Sequence, residues 1–123
     1  MNAFARAQRA YSAMSAPTRT ARNAEYDAVA RITQKLQQAS DLGAAGFPSL
    51  AQALHDNRKL WSIFAVDVAD TKNTLPADLR ARIFYLAEFT HHHTNQVLAR
   101  RANAEPLIEI NKAVLRGLRG EAA

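Results

Sequence analysis

The strongest constraint on the fold is a helical repeat of apolar residues, which recur at intervals of three and four positions along most of this 123-residue chain. No window alternates apolar and polar residues over the length of a strand, so no β-strand is expected. The four glycines and four prolines fall near the ends of the periodic stretches. The sequence therefore predicts an all-α fold.

Four long helices are predicted, approximately at residues 18–40, 49–70, 76–102 and from 103 towards the C-terminus. A shorter apolar stretch at 4–14, which ends before Pro17, predicts a short N-terminal helix. Antiparallel packing of the four long helices is the simplest way to bury four apolar stripes. We therefore expect residues 1–123 to form one domain, a bundle of four long antiparallel helices plus the short one.

The helix at 49–70 is expected to be central, because its apolar face is the widest of the four. Its start is predicted at Ser49, since Ser49 and Gln52 have the spacing of a capping box. In this motif the Ser hydroxyl accepts from the backbone N–H of Gln52, and the Gln side chain accepts from the backbone N–H of Ser49. Phe47 is placed to pack against the first turn as a hydrophobic staple.

Composition excludes several classes of protein. The chain contains no cysteine, which excludes disulfides, thiolate metal sites and thiol nucleophiles. No run approaches the roughly 20 apolar residues that a membrane-spanning helix needs, and the first residues lack the apolar core of a secretory signal. We therefore expect no membrane span and a cytoplasmic location.

Residue types that serve in catalytic or metal sites are present without a supporting pattern. His91, His92 and His93 are adjacent on a predicted helix, where neighbouring side chains point about 100° apart and cannot converge on one ion. No serine lies in a nucleophile elbow or beside a histidine, and no phosphate-binding glycine motif occurs. We expect no metal site, no cofactor and no enzymatic activity; a role for the histidine run is left open.

The positive charge of the chain is concentrated near its N-terminus. Net charge is +5, and residues 1–35 contain six basic and two acidic side chains. Arg6, Arg9, Arg19 and Arg22 are therefore candidates for nucleic-acid contact. The alternative, a solvated helix surface, is favoured because no recognised RNA-binding motif is present.

Two asparagines interrupt apolar stripes. Asn57 lies between Leu54 and Trp61 on the stripe of the central helix, and Asn111 lies beside Ile110 on the last helix. A buried amide must find hydrogen-bond partners, so these asparagines either connect helices within the core or line a groove open to a partner. The candidates for groove or core are Asn57, Trp61, Phe64, Leu107, Ile110 and Asn111.

Three motifs in order resemble the FlaF family of bacterial flagellar proteins. They are Asn-Arg-Lys-Leu-Trp-Ser-Ile-Phe at 57–64, Leu-Pro-Ala-Asp-Leu-Arg at 75–80, and Leu-Ile-Glu-Ile-Asn at 107–111 followed by Gly117 and Leu118. The resemblance extends over nearly the whole chain.

The resemblance implies a role in flagellin supply, with the protein acting as a secretion chaperone on the amphipathic terminal segments of flagellin. The implied partners are flagellin, the post-transcriptional regulator FlbT and the export machinery. The alternative is an RNA-linked regulator of flagellin translation that acts with FlbT.

Overall fold

A computed structural model describes residues 16–118, with side chains described from residue 24 onwards. It contains four α-helices: α1 (Ala16–Asp41), α2 (Phe47–Ala69), α3 (Ala77–Leu98) and α4 (Glu105–Leu118). A short 3-10 turn, Gly43–Gly46, joins α1 to α2. This part of the chain contains no strand, which confirms the all-α prediction, whereas the short helix predicted at 4–14 lies outside the described residues.

The four helices form a bundle in chain order. The helix α2 packs along both α1 and α3, α1 also packs against α4, and α3 and α4 share the fewest contacts of the neighbouring helix pairs. Short links reverse the chain between successive helices, as an antiparallel bundle requires. None of the four helices described between residues 16 and 118 contains an apolar stretch of the length needed to span a lipid bilayer.

Side chains from all four helices fill the core, in two adjoining clusters. The first cluster surrounds Trp61 and Phe64 of α2, whose rings meet edge to face with centroids 5.2 Å apart. The second surrounds Leu36, Leu54 and Leu107. Ile32 packs against both clusters, so the apolar interior is continuous along the bundle, and its burial is the main source of stability.

The start of α2 differs from the prediction. Gly46 is the N-cap, no side chain caps the helix, and a proline stands in its first turn, where the missing N–H costs nothing. Ser49 is therefore inside the first turn, and the capping box with Gln52 was wrong; Gln52 donates instead to the Asp56 carboxylate at 3.1 Å. Only glycine fits at this cap, because a Cβ at residue 46 would collide with the Ala39 carbonyl oxygen.

The end of α3 also differs, since the helix stops at Leu98 rather than near residue 102. The Arg100 N–H donates to the Val97 carbonyl and the Arg101 N–H to the Gln96 carbonyl, both at 2.9 Å, which is the Schellman pattern. Arg100 has a φ of 62°, the only positive φ among the described non-glycine residues. The sequence did not reveal this end because glycine normally takes that position.

Asn73 fixes the link between α2 and α3. Its Nδ2 donates to the Asp67 carbonyl at 2.9 Å, and its Oδ1 accepts from the Leu75 N–H at 2.9 Å. Arg80 donates to the Asn73 carbonyl at 3.2 Å, and Leu75 is buried in the first core cluster. The motif at 75–80 therefore anchors the start of α3.

The two glycines of the α1–α2 link give a matched test of this geometry. A Cβ at Gly46 would collide with the Ala39 carbonyl oxygen, whereas a Cβ at Gly43 meets nothing within 4 Å and suffers only from its φ of 64°. We expect Gly46→Ala to cost about 2–3 kcal/mol of unfolding free energy through overpacking and backbone shift, and Gly43→Ala about 1 kcal/mol. Urea unfolding followed by circular dichroism measures both; equal costs would contradict the close approach at Gly46.

Candidate functional site

A chain of hydrogen bonds crosses the centre of the bundle. The Trp61 Nε1–H donates to Asn111 Oδ1 at 3.0 Å, and Asn111 Nδ2 donates to Asn57 Oδ1 at 2.9 Å. All three side chains are at most 1% exposed. Trp61 and Asn57 lie on α2 and Asn111 on α4, so these bonds join two helices that face each other across the core. We call them the diagonal joint.

The diagonal joint is costly to disturb. Hydrogen bonds in a dry interior are stronger than in water, and a buried polar atom that loses its partner costs about 1–3 kcal/mol. Asn111 uses both ends of its amide, whereas Asn57 Nδ2 is buried without a partner. The geometry of the joint therefore centres on Asn111, which fixes where α4 sits relative to α2.

The structure places most of the predicted groove-or-core residues in the core. Asn57, Trp61, Phe64, Leu107 and Asn111 are all 0–1% exposed, so in the isolated chain they line no open groove. Ile110 is partly buried at the edge of the first core cluster. A surface that receives a partner must therefore be sought at the margin of the core.

Such a margin exists between α3 and α4. Leu79 and Leu86 of α3, with Ile110 and Val114 of α4, are only partly buried and pack against the first core cluster. These four residues define what we call the α3–α4 seam. Because α3 and α4 share fewer contacts than the other packed helix pairs, these four side chains leave apolar surface exposed to solvent between the two helices.

Hydrogen bonds to α2 establish which side of α3 faces the seam. The His91 ring is 3.0 Å from Ser62 Oγ, and Arg58 donates to Asn95 Oδ1 at 2.8 Å, so His91 and Asn95 mark the side of α3 that faces α2. With 3.6 residues per turn, Leu79 and Leu86 lie on the opposite flank, towards α4. The apolar periodicity of α3 does not reveal the partial exposure of these leucines, because the stripe of one helix does not show how closely its neighbour packs.

The adjacent histidines diverge, as predicted. His91 faces Ser62 of α2, whereas the His93 Nε2 lies 2.8 Å from the Asn103 carbonyl beyond α3 and its ring stacks on Phe89 with centroids 5.3 Å apart. The histidine between them is exposed. Across the described part of the chain, no group of three or more potential ligands could hold a metal ion.

The predicted nucleic-acid contacts fall in the basic N-terminal part of the chain. Arg6 and Arg9 lie outside the described residues, and Arg19 and Arg22 belong to the first turns of α1, where side chains are not described. Nucleic-acid contact by these arginines stays a prediction.

Comparison with known proteins gives one result. A family model described as "Flagellar protein FlaF" matches residues 7–118. No curated protein and no solved structure shows a significant match. The matched range contains all four helices and each of the three sequence motifs.

Substitution of Asn111 tests the diagonal joint. We expect Asn111→Ala to lower the unfolding free energy by about 2–4 kcal/mol, because it strands the buried Trp61 N–H and Asn57 oxygen and leaves a cavity. Lys112→Ala is the matched control; its 3.8 Å pairing with Glu109 is exposed to solvent and is expected to contribute less than about 0.5 kcal/mol. Chemical denaturation measures both, and a near-neutral Asn111→Ala would show that the joint adds little.

Proposed function

The chain belongs to the FlaF family of flagellar proteins, and from this membership we propose that it binds flagellin in the cytoplasm as a secretion chaperone supporting flagellin synthesis and export. The proposal is for a binding protein rather than an enzyme. The structural observation that supports it is the α3–α4 seam, where partly buried apolar side chains of two helices lie between helices that share few contacts.

The seam suits an amphipathic helix. Leu79 and Leu86 are seven residues apart and Ile110 and Val114 four apart, so each pair forms a short stripe along its helix. A partner helix laid between them would bury both stripes in the manner of helix-in-groove recognition. Flagellin's amphipathic terminal segments, as expected from the family, present the complementary apolar face.

The diagonal joint gives the seam defined walls. One wall, α3, packs directly on α2, and the other, α4, is connected to α2 through Trp61 and Asn111. Both walls are therefore positioned by the same central helix, although they touch each other little. A groove held in this way is pre-organised, which lowers the cost of binding a partner.

Moderate affinity is expected and is useful. A segment that is disordered when free must lose conformational entropy on binding, and this offsets part of the gain from apolar burial. A chaperone that hands its cargo to the export machinery needs that balance, because cargo bound too tightly would not be released.

The competing proposal is an RNA-linked regulator of flagellin translation that acts with FlbT. It is supported by the sequence alone, through the excess of four positive charges in residues 1–35. A gel-shift titration with the flagellin leader RNA separates the two. Binding that is selective for this RNA at physiological salt would favour the regulator, whereas binding that ignores sequence and vanishes with modest salt would count against it.

Lysine substitutions in the seam test the chaperone proposal. We expect Leu86→Lys combined with Val114→Lys to weaken a flagellin complex at least about tenfold, because each ammonium must lose water when a helix covers it. Tyr85→Lys is the matched control, since Tyr85 is 65% exposed on the outer side of α3 and should leave affinity unchanged. Isothermal titration calorimetry with purified flagellin gives the affinities, and circular dichroism checks that each variant is folded.

Two results would contradict the proposal. One is the absence of a stoichiometric complex between the unaltered chain and flagellin at tens of micromolar by size exclusion. The other is a folded double-lysine variant that binds flagellin with the same affinity as the unaltered chain. That result would place flagellin on a surface other than the seam.

A further inference from the structure

A second concave surface lies at the end of the bundle where the α1–α2 link meets the α3–α4 link. The cavity has a volume of about 610 Å³, which is within the range of sites that hold small ligands or a few side chains. Its apolar walls include Phe47, Leu50, Val97 and Ala104, and none of the four seam residues lines it. We call it the link pocket.

The link pocket already holds a guanidinium group. The side chain of Arg100 lies over the Phe47 ring, with its central carbon 4.1 Å from the ring centroid. Arg100 does this from a backbone position with φ of 62°, where glycine is the usual residue. The aromatic wall of the pocket therefore stabilises a cation, and the chain's own Arg100 already covers that ring.

Carboxylates at the rim add to this preference for positive charge. Asp41 and Glu105 both line the pocket. Asp41 accepts a hydrogen bond from the Gln37 amide at 3.0 Å, and the ion pair of Lys112 with Glu109 involves neither carboxylate. The chain as a whole has a net charge of +5. The lining of the pocket, by contrast, contains two carboxylates and one arginine, and is therefore net negative.

We propose that the link pocket binds a segment of a partner protein in which an aromatic or branched apolar side chain is closely followed by lysine or arginine. The apolar side chain packs against the partly buried Leu50 and Ala102, and the cation lies at the rim with Asp41 and Glu105. Charge complementarity selects this occupant, because an acidic segment would meet the same two carboxylates. The site is separate from the seam, so it does not depend on the chaperone proposal.

A pair of capped tripeptides tests the pocket on the full chain. Acetyl-Phe-Ala-Arg-amide is the probe and acetyl-Phe-Ala-Glu-amide its control, each titrated into isotope-labelled protein and followed by amide chemical shifts. We expect the basic peptide to bind with a Kd of about 1 mM and to shift the amides of Gly43, Ala44 and Asn103, which line the pocket. The acidic peptide should bind at least about tenfold more weakly, and added salt should weaken the basic peptide.

Variants separate the pocket from nonspecific attraction. Asp41→Asn with Glu105→Gln should reduce affinity for the basic peptide about tenfold, whereas Glu88→Gln with Glu109→Gln removes two carboxylates outside the pocket and should not. If the first pair fails to fold, the single charge-removing variants Asp41→Asn and Glu105→Gln, together with the salt titration, supply the comparison. The double-lysine seam variant should bind the peptide normally, so failure of flagellin binding and failure of the pocket are distinguishable.

Three outcomes would overturn the proposal. They are the absence of shifts with the basic peptide, equal shifts with both peptides, and undiminished binding by a folded Asp41→Asn, Glu105→Gln variant.

Discussion

The hydrogen bonds among Trp61, Asn111 and Asn57 determine how the fourth helix is held. The helix α4 is only 14 residues long, too short to be stable without tertiary contacts, and it shares little surface with α3. The position of α4 therefore depends on its packing against α1 and on the side-chain hydrogen bonds that Asn111 makes with α2. Because those amides are fully buried, any shift of α4 along its axis would break bonds that water cannot replace. The polar centre thus specifies one arrangement where apolar packing alone would tolerate several.

The sequence motifs that identify the family are largely structural. The motif at 57–64 supplies Asn57, Trp61 and Phe64, and the motif at 107–111 supplies Leu107 and Asn111, all fully buried. The motif at 75–80 forms the link before α3. These buried residues create the scaffold, whereas two further motif residues, Leu79 and Ile110, belong to the α3–α4 seam together with Leu86 and Val114 from outside the motifs. The motifs therefore supply both the buried framework and part of the surface proposed for the partner.

Helical periodicity was sufficient to predict the four helices and the all-α class, because each apolar stripe is a local property of the chain. The possibility that Asn57 and Asn111 connect helices also followed from their places on those stripes. The two misplaced boundaries depended on information that is not local. The start of α2 follows from how closely Gly46 approaches Ala39, and the end of α3 from an arginine in a conformation usually left to glycine. The seam was missed for the same reason, since the exposure of Leu86 depends on the distance to another helix.

The position of Trp61 has a practical consequence. It is the only tryptophan of the chain, and its indole N–H is engaged by Asn111 in a dry interior. Indole emission depends on the polarity of its surroundings, so the intrinsic fluorescence of this protein reports on a single location, the contact between α2 and α4. A ligand that binds only at the surface would leave the emission of Trp61 unchanged. A ligand that separates α4 from α2 would expose the indole to water and shift its emission wavelength, so no attached label is needed to tell the two apart.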